Sequence, residues 1–428
     1  MPDISPGNGI VSIIRSMAGR HMDNTEAINE QAQAHHVKPV THRAEWVVVE
    51  KNNILQNGYV VVHDGFIIEI GKGSKSVDGP IIDHGNGVIL PGLVNAHTHL
   101  ELCALKNRVA SQNGFLSWVQ ELLAQRSGFE PETLLQEAAL GIDQLLSSGC
   151  IAAGDVSTMG ITQELFARSP LLGIWFQEFL GSHPDKTLTC RKGPGQSISL
   201  AGHAPHTTSP ELLTRLKTLS LKAKLRFSIH LAESIEEVEF LATGKGAWAD
   251  FLSERGIDFS SWGIGRNLSP VRYADQIRLL HSGTIAVHVI RADETDFEIL
   301  RKNGSSVCLC LRSNQALHGT LPDVPSMMKH NINLCLGTDS LASVDTLSMF
   351  DEMKFAAARF PEIPPVDILE MATANGARAL GLDGLTGTLR PGELGSFPYL
   401  DLPAGNVKQL MESIAHASFQ GPVNRIPA

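Results

Sequence analysis

No apolar run in the 428 residues approaches the ~20 needed to span a bilayer, so a membrane-embedded protein is not expected. The six cysteines, at 103, 150, 190, 308, 310 and 335, form no CxxC pair. Four of them (150, 308, 310 and 335) sit in apolar runs where buried free thiols are common, which fits a reducing cytoplasm. Positive charge is scarce: 35 basic against 45 acidic residues leave a formal charge of −10. That balance disfavours nucleic acid or an acidic membrane surface as partner and favours a small neutral or cationic substrate. Aromatics are few as well, at 6 %, whereas 43 % of the chain is hydrophobic, enough for one large core and a smaller module.

Residues 1 to about 43 differ from the rest. They are polar apart from Gly9-Ile-Val-Ser-Ile-Ile14, which is shorter than the ~7–15 residues of a signal-peptide core. The segment reads as a flexible N-terminal extension, and its His35-His36 as solvated. From Glu45 to Ile82 short alternating runs are split by Asn57-Gly58 and Asp64-Gly65, dipeptides that favour tight hairpin turns. Residues 44–90 are therefore expected to be antiparallel. Beyond Gly387 the chain is expected to return to the same module, so that 44–90 and 386–428 together build a small β-sandwich.

Between them the pattern changes to apolar strands separated by longer amphipathic stretches, the mark of parallel βα units. Eight strand candidates appear, at 88–99, 150–157, 171–179, 198–206, 225–233, 284–292, 305–314 and 333–340. Helices are expected at 115–126, 134–147 and 210–221. Eight parallel strands in roughly 250 residues imply an α/β fold of the (β/α)8 TIM-barrel type over 91–385, with its active site at the C-terminal strand ends. The long insert at 234–280, holding Trp248 and Trp262, is expected to wall the barrel mouth.

Polar residues collect at those ends. His97 and His99 are two apart at the end of the first strand, so their side chains leave on one face. His203 and His206 end the fourth strand, His230 to Glu233 the fifth, His288 the sixth and Asp339 the eighth. So many buried titratable groups cost several kcal/mol unless something pairs them, and a divalent metal ion does so.

The segments Pro91-Gly-Leu-Val-Asn-Ala-His-Thr-His99, His230-Leu-Ala-Glu233 and Leu336-Gly-Thr-Asp-Ser-Leu-Ala-Ser343 resemble the amidohydrolase superfamily. The likeness is to its purine, pterin and s-triazine aminohydrolase branch, which includes deaminases of S-adenosylhomocysteine, methylthioadenosine and aminodeoxyfutalosine, and chlorohydrolases. It covers roughly residues 45–395. The resemblance implies one Zn2+ or Fe2+ per chain, held by His97, His99, His230 and Asp339. Binuclear relatives carry a carboxylated lysine at the end of strand four, where this chain reads Gly202-His-Ala-Pro-His206.

The same resemblance implies hydrolytic deamination. A water acidified by the ion towards pKa ~7 gives its proton to Asp339, His288 orients the attacking oxygen, and Glu233 shuttles a proton to the ring nitrogen and then to the departing amine. The family's second histidine of His-x-x-His is Arg291 here. For substrate, His203 matches a family contact position. Arg312, in a stretch assigned to strand seven, either holds an anionic or ribose group or makes a structural salt bridge. Glu101, Trp118 and Glu178 lie where the substrate tail would pass, and either acid binds ribose hydroxyls or braces the site. The stretch from His99 to Val119 is most similar to aminodeoxyfutalosine deaminases of menaquinone synthesis, whose substrate carboxylate would suit Arg312, Arg108 or Arg272. S-adenosylhomocysteine, methylthioadenosine, guanine, pterin and s-triazine substrates stay open, as do a non-catalytic binding protein on the same fold and a homodimer.

Overall fold

The protein is described from a computed structural model covering residues 38–73, 78–110, 114–184 and 186–417, with the backbone of 423–424. Most of the expected extension, 1–37 with His35-His36, lies outside these residues. Its last part does not: β1 (Val40–Glu50) already begins at Val40. Together with β2 (Asn53–His63) and β3 (Phe66–Lys72) it makes an antiparallel meander, flanked by the short strands β4 (Ile81–Asp83) and β5 (Val88–Ile89) running parallel to β1. Asp64-Gly65 is a hairpin turn as its sequence predicts, with φ of 46° and 86°. Asn57-Gly58 is not a turn. It lies inside β2, with Asn57 at φ 50°, and a Cβ on Gly58 would fall 2.5 Å from Val47 Cγ2. The left-handed Asn57 sits within a continuous strand whose next residue, Gly58, packs on the Val47 side chain, and the β1–β2 turn falls at Lys51-Asn52 instead.

The barrel follows. β6 (Leu93–Thr98), β7 (Cys150–Ser157), β8 (Leu172–Phe179), β9 (Gln196–Gly202), β10 (Phe227–Leu231), β11 (Thr284–His288), β12 (Ser306–Leu309) and β13 (Asn333–Leu336) pair in sequence order, all parallel. A parallel bridge between Thr98 and Asp339 joins the last strand to the first. At that seam the Asp339 N–H donates to the His97 carbonyl (3.1 Å) and Asn95 Nδ2 to Thr338 Oγ1 (2.7 Å). Gly337 makes the approach possible, since a Cβ there would lie 2.9 Å from the His97 carbonyl oxygen. Every residue of β6, β7, β10, β11 and β12 is buried, as strands covered on both faces require.

Helices cover the strands: α1 (Phe115–Ser127), α2 (Pro131–Ser147) and α3 (Pro210–Lys222) lie where periodicity predicts them. α2 buries Leu134, Ala138, Ile142 and Leu145 along one stripe, each leucine contributing about 1.5–3 kcal/mol of burial. α3 is capped by Ser209, whose hydroxyl accepts from the Leu212 N–H (3.2 Å). The 234–280 insert forms α4 (Ile235–Thr243), α5 (Ala247–Glu254) and a third short helix.

Two expected strands divide. Residues 88–99 break at Pro91, which has no N–H for a ladder, so Val88–Ile89 belongs to the small sheet and Leu93–Thr98 to the barrel. Residues 305–314 end as a strand at Leu309, and α6 (Leu311–His318) begins two residues later. After the barrel, β14 (Phe397–Leu400) returns to pair antiparallel with β5 and with β15 (Val423–Asn424). Between those two strands α7 (Val407–Ala415) lays Leu410, Met411 and Ile414 against Met353, Ile368 and Leu369 of the barrel's outer helices. The C-terminal segment thus completes the small sheet and also covers the barrel.

Candidate active site

β6 and β10 deliver three imidazoles to one point. His230 Nε2 lies 3.3 Å from His97 Nε2 and 3.4 Å from His99 Nε2, and Asp339 Oδ1 lies 3.8 and 3.6 Å from the same two atoms. Four donors around an ion at metal–ligand bonds of about 2.05 Å stand about 3.3 Å apart along tetrahedral edges. The observed spacings match that figure for the imidazoles and exceed it slightly for the carboxylate. The donor set therefore fits a divalent ion.

The remaining atoms of His99, His230 and Asp339 are tied so that the converging ones point inward, while His97 Nδ1 is buried with no hydrogen-bond partner. His99 Nδ1–H donates to the Val156 carbonyl (2.9 Å) and His230 Nδ1–H to the His203 carbonyl (2.8 Å). Each bond fixes the tautomer that leaves Nε2 with a lone pair for the ion. Asp339 Oδ2 accepts from Ser313 Oγ (2.6 Å) and Ser343 Oγ (3.1 Å), which leaves Oδ1 for the cluster. Burial, reinforced by the neighbouring imidazoles, pushes His97 well below the usual imidazole range; burial and then His203 bring His230 down to about 4. Burial also lowers His99, but the carboxylates of Asp339, Glu178 and Glu101 outweigh it and raise that group. His97 and His230 are thus kept neutral, the ligand state a metal requires.

Glu233 stands beside this cluster. Its Oε1 accepts from His318 Nε2–H (3.1 Å) and lies 3.6 Å from His288 Nε2. Burial alone would raise its carboxyl group; attraction to His288 and the bond from His318 overcome that and hold it below the usual carboxylate range. His288 is oriented by Nδ1–H donation to Asn314 Oδ1 (2.7 Å), from α6. The backbone here is held in left-handed conformations, with φ 53° at Ala232, 73° at His288 and 62° at Asp339. At Ala232 the cause is visible: Glu237 accepts the Ala232 N–H (3.1 Å) on one carboxylate oxygen and the Glu233 N–H (2.8 Å) on the other. Ser234, three residues earlier, caps α4 by accepting the Glu237 N–H (3.1 Å).

A cavity of about 910 Å³ opens from the cluster. His203, Trp118, Glu178, Glu101, Glu233 and His288 line it with three of the four donors, His99, His230 and Asp339, while His97 is not part of the lining. Glu178 Oε1 is buried with no hydrogen bond, 3.6 Å from His230 Nδ1, its other oxygen accepting from Thr158 Oγ1 (2.6 Å). Glu101 is committed: Ser157 Oγ–H and the backbone N–H groups of Thr158 and Met159 saturate it, so it braces the turn after β7. Asp155, not singled out from sequence, likewise holds the Leu100 N–H (2.9 Å) just past His99.

Arg312 is displaced from the expected substrate contacts. It lies in α6 rather than on a strand, where it pairs with Asp345 and donates to the Thr346 carbonyl (3.1 Å), outside this cavity. Burial raises the adjacent Glu352 to about 8, with Arg312 pulling it back. The other two candidate arginines are also engaged elsewhere: Arg272 with Asp293 and Asp296, and Arg108 over the Phe129 ring. Arg291 contributes its backbone, the N–H donating to the Ala232 carbonyl (2.8 Å).

The sequence profile of the amidohydrolase family matches residues 88–425. The chain belongs to the amidohydrolase family. Among relatives, it is 29 % identical to an aminodeoxyfutalosine deaminase of Deinococcus radiodurans over 73 % of this chain and 77 % of that protein. It is 28 % identical to a 5-methylthioadenosine/S-adenosylhomocysteine deaminase of Syntrophobacter fumaroxidans over 84 % and 83 %. Its fold is that of the Helicobacter pylori aminofutalosine deaminase solved with methylthio-coformycin, at TM-score 0.78 and 23 % identity, covering 90 % of this chain and 97 % of the other. This amidohydrolase is a hydrolase of carbon–nitrogen bonds. Among the described residues no helix is long and apolar enough to cross a membrane.

Proposed function

We propose that this amidohydrolase deaminates an adenine-type nucleoside with a single divalent ion. The observation that carries the reading is the Glu233 carboxylate, held ionised beside a four-donor cluster and facing the same cavity. Three imidazoles and one carboxylate suit Zn2+ or Fe2+, held by His97, His99, His230 and Asp339. When bound, the ion supplies Lewis acidity that lowers the pKa of a water into the neutral range. In the nearby Glu178–His203–His230 group His230 Nδ1 is spent on the His203 carbonyl, which supports one ion per chain.

The residues then divide the proton work. Asp339 Oδ1 accepts the proton of the attacking water. His288, oriented by Asn314, turns Nε2 towards the attacking water and directs it towards the C–NH2 carbon. Glu233, starting as a carboxylate, takes the other proton of the water to the ring nitrogen, and the proton held by Asp339 is then returned through Glu233 to the leaving amine, so that ammonia and a ring carbonyl result. His203, Trp118 and Glu178, which line the cavity, contact the bound nucleoside. Relatives named as deaminases of aminodeoxyfutalosine and of methylthioadenosine or S-adenosylhomocysteine support the nucleoside class. The setting is the cytoplasm, which suits six unbridged thiols.

Ammonia release should be measured over adenosine, methylthioadenosine, S-adenosylhomocysteine, aminodeoxyfutalosine, guanine and a chlorinated triazine, alongside metal content. At least one adenine nucleoside turning over with about one equivalent of metal is expected. Reaction of the triazine alone would overturn the substrate class, and two equivalents of metal would overturn the mononuclear site.

A further inference from the structure

The short helix α6 carries three polar side chains into the site, and each ends on a different proton-handling group. Ser313 Oγ–H donates to Asp339 Oδ2 (2.6 Å), and Asn314 Oδ1 accepts from His288 Nδ1–H (2.7 Å). His318, four residues after Asn314 and on the same face, donates from Nε2–H to Glu233 Oε1 (3.1 Å). Leu311 and Leu317 of this helix are buried, one in the barrel core and the other in the apolar cluster around Trp118 and Trp248. The helix is thus fastened at both ends, and its three polar tips are fixed with it.

His318 alone of the three touches the proton carrier. Its side chain is only 4 % exposed, and the Phe115 ring packs on it at 4.7 Å between centroids. An ionised carboxylate only accepts, so the proton of this bond belongs to Nε2 and the bond is charge-assisted. The two oxygens of Glu233 are unlike as a result. Oε1 has His318 at 3.1 Å and His288 at 3.6 Å, whereas Oε2 has no hydrogen bond among the described residues. The terminal torsion of a glutamate is broad and nearly two-fold, so nothing in the residue itself selects one oxygen. Glu237 fixes the backbone of Glu233 and leaves that torsion free. We propose that His318 is a positioning residue: by holding Oε1 it assigns the proton transfers to Oε2, the oxygen left for the cavity that Glu233 lines. Oε2 gives the water's proton to the ring nitrogen and passes the later one to the amine, while His318 keeps its own. This rests on the deaminase reading and adds to it the atom that carries the proton.

The test compares steady-state deamination by the holoenzyme and its variants, with metal content measured in each. The amide of a glutamine ends near the place of Nε2, and that of an asparagine near the place of Nδ1. His318→Asn should therefore lower kcat by roughly tenfold with KM within about twofold and about one metal retained, the cost of one charge-assisted bond. His318→Gln should recover most of that loss. Added to Glu233→Gln, His318→Asn should cost less than about twofold more, because the carrier it positions is already gone. Equal kcat in the two single variants, or losses that multiply in the double variant, overturn the proposal. Should His318→Asn fold poorly, His318→Leu takes its place with the same outcomes. If no adenine nucleoside is deaminated, the deaminase reading has failed, and proton NMR of the holoenzyme decides the contact separately. A downfield imidazole N–H signal that disappears in His318→Gln and moves in Glu233→Gln sustains it; no such signal, or one indifferent to Glu233→Gln, overturns it.

Discussion

The two ends of the cavity are built differently. At the metal-binding end the side chains leave strand ends, and the second atoms of His99, His230, Asp339 and His288 are tied to backbone carbonyls, serines or an asparagine, with Ala232, His288 and Asp339 held at positive φ. At the other end a helical stripe and the neighbouring α5 supply Trp118 and Trp248, whose buried indole nitrogens have no hydrogen-bond partner. The first end is fixed from several directions at once. The second is bonded mainly by packing. Substituting a residue of α1 therefore leaves the donor geometry in place, which is how one metal-centred machinery serves several tails.

That contrast can be broken in order of effect. Glu233→Gln should keep about one metal per chain yet lower kcat by roughly 10²–10⁴-fold, the usual contribution of a positioned proton carrier; wild-type turnover with metal retained removes its role. Glu237→Gln should lower kcat by about tenfold and leave KM nearly unmoved, because the amide can accept only one of the two N–H bonds that aim Glu233. A rise in KM without a fall in kcat would show that Glu237 does not act through Glu233. Trp118→Ala should raise KM for a long-tailed nucleoside by about five- to tenfold with a smaller change in kcat, through lost stacking area. Loss of metal in that variant would mean the two ends are not separable.

The same division governs what the sequence reveals. His97 and His99 are readable because strand periodicity puts residues two apart on one face, and His230, Glu233 and Asp339 because they close apolar runs of strand length. Their convergence is a property of the barrel, not of any one segment. Arg312 misleads because residues 305–314 look like one apolar strand, whereas the strand stops at Leu309 and a helix starts at Leu311. Placing that helix would have exposed His318, four residues after Asn314 and on the same face, with one touching Glu233 and the other His288. Glu237 left a local trace in Ser234-Ile-Glu-Glu237, the capping-box spacing. Glu101 left none, since its partners at 157–159 come from the next strand.

The seam between Thr98 and Asp339 has a consequence for how the protein is made. The first and last donors of the cluster are 242 positions apart, from His97 to Asp339, and they meet only when strand thirteen docks against strand six. During synthesis, a nascent chain lacking Asp339 holds three histidines and no carboxylate to complete the set. Full-affinity metal capture is therefore deferred until the ring is shut, and once captured the ion ties the end of the first strand to the residues that follow the last.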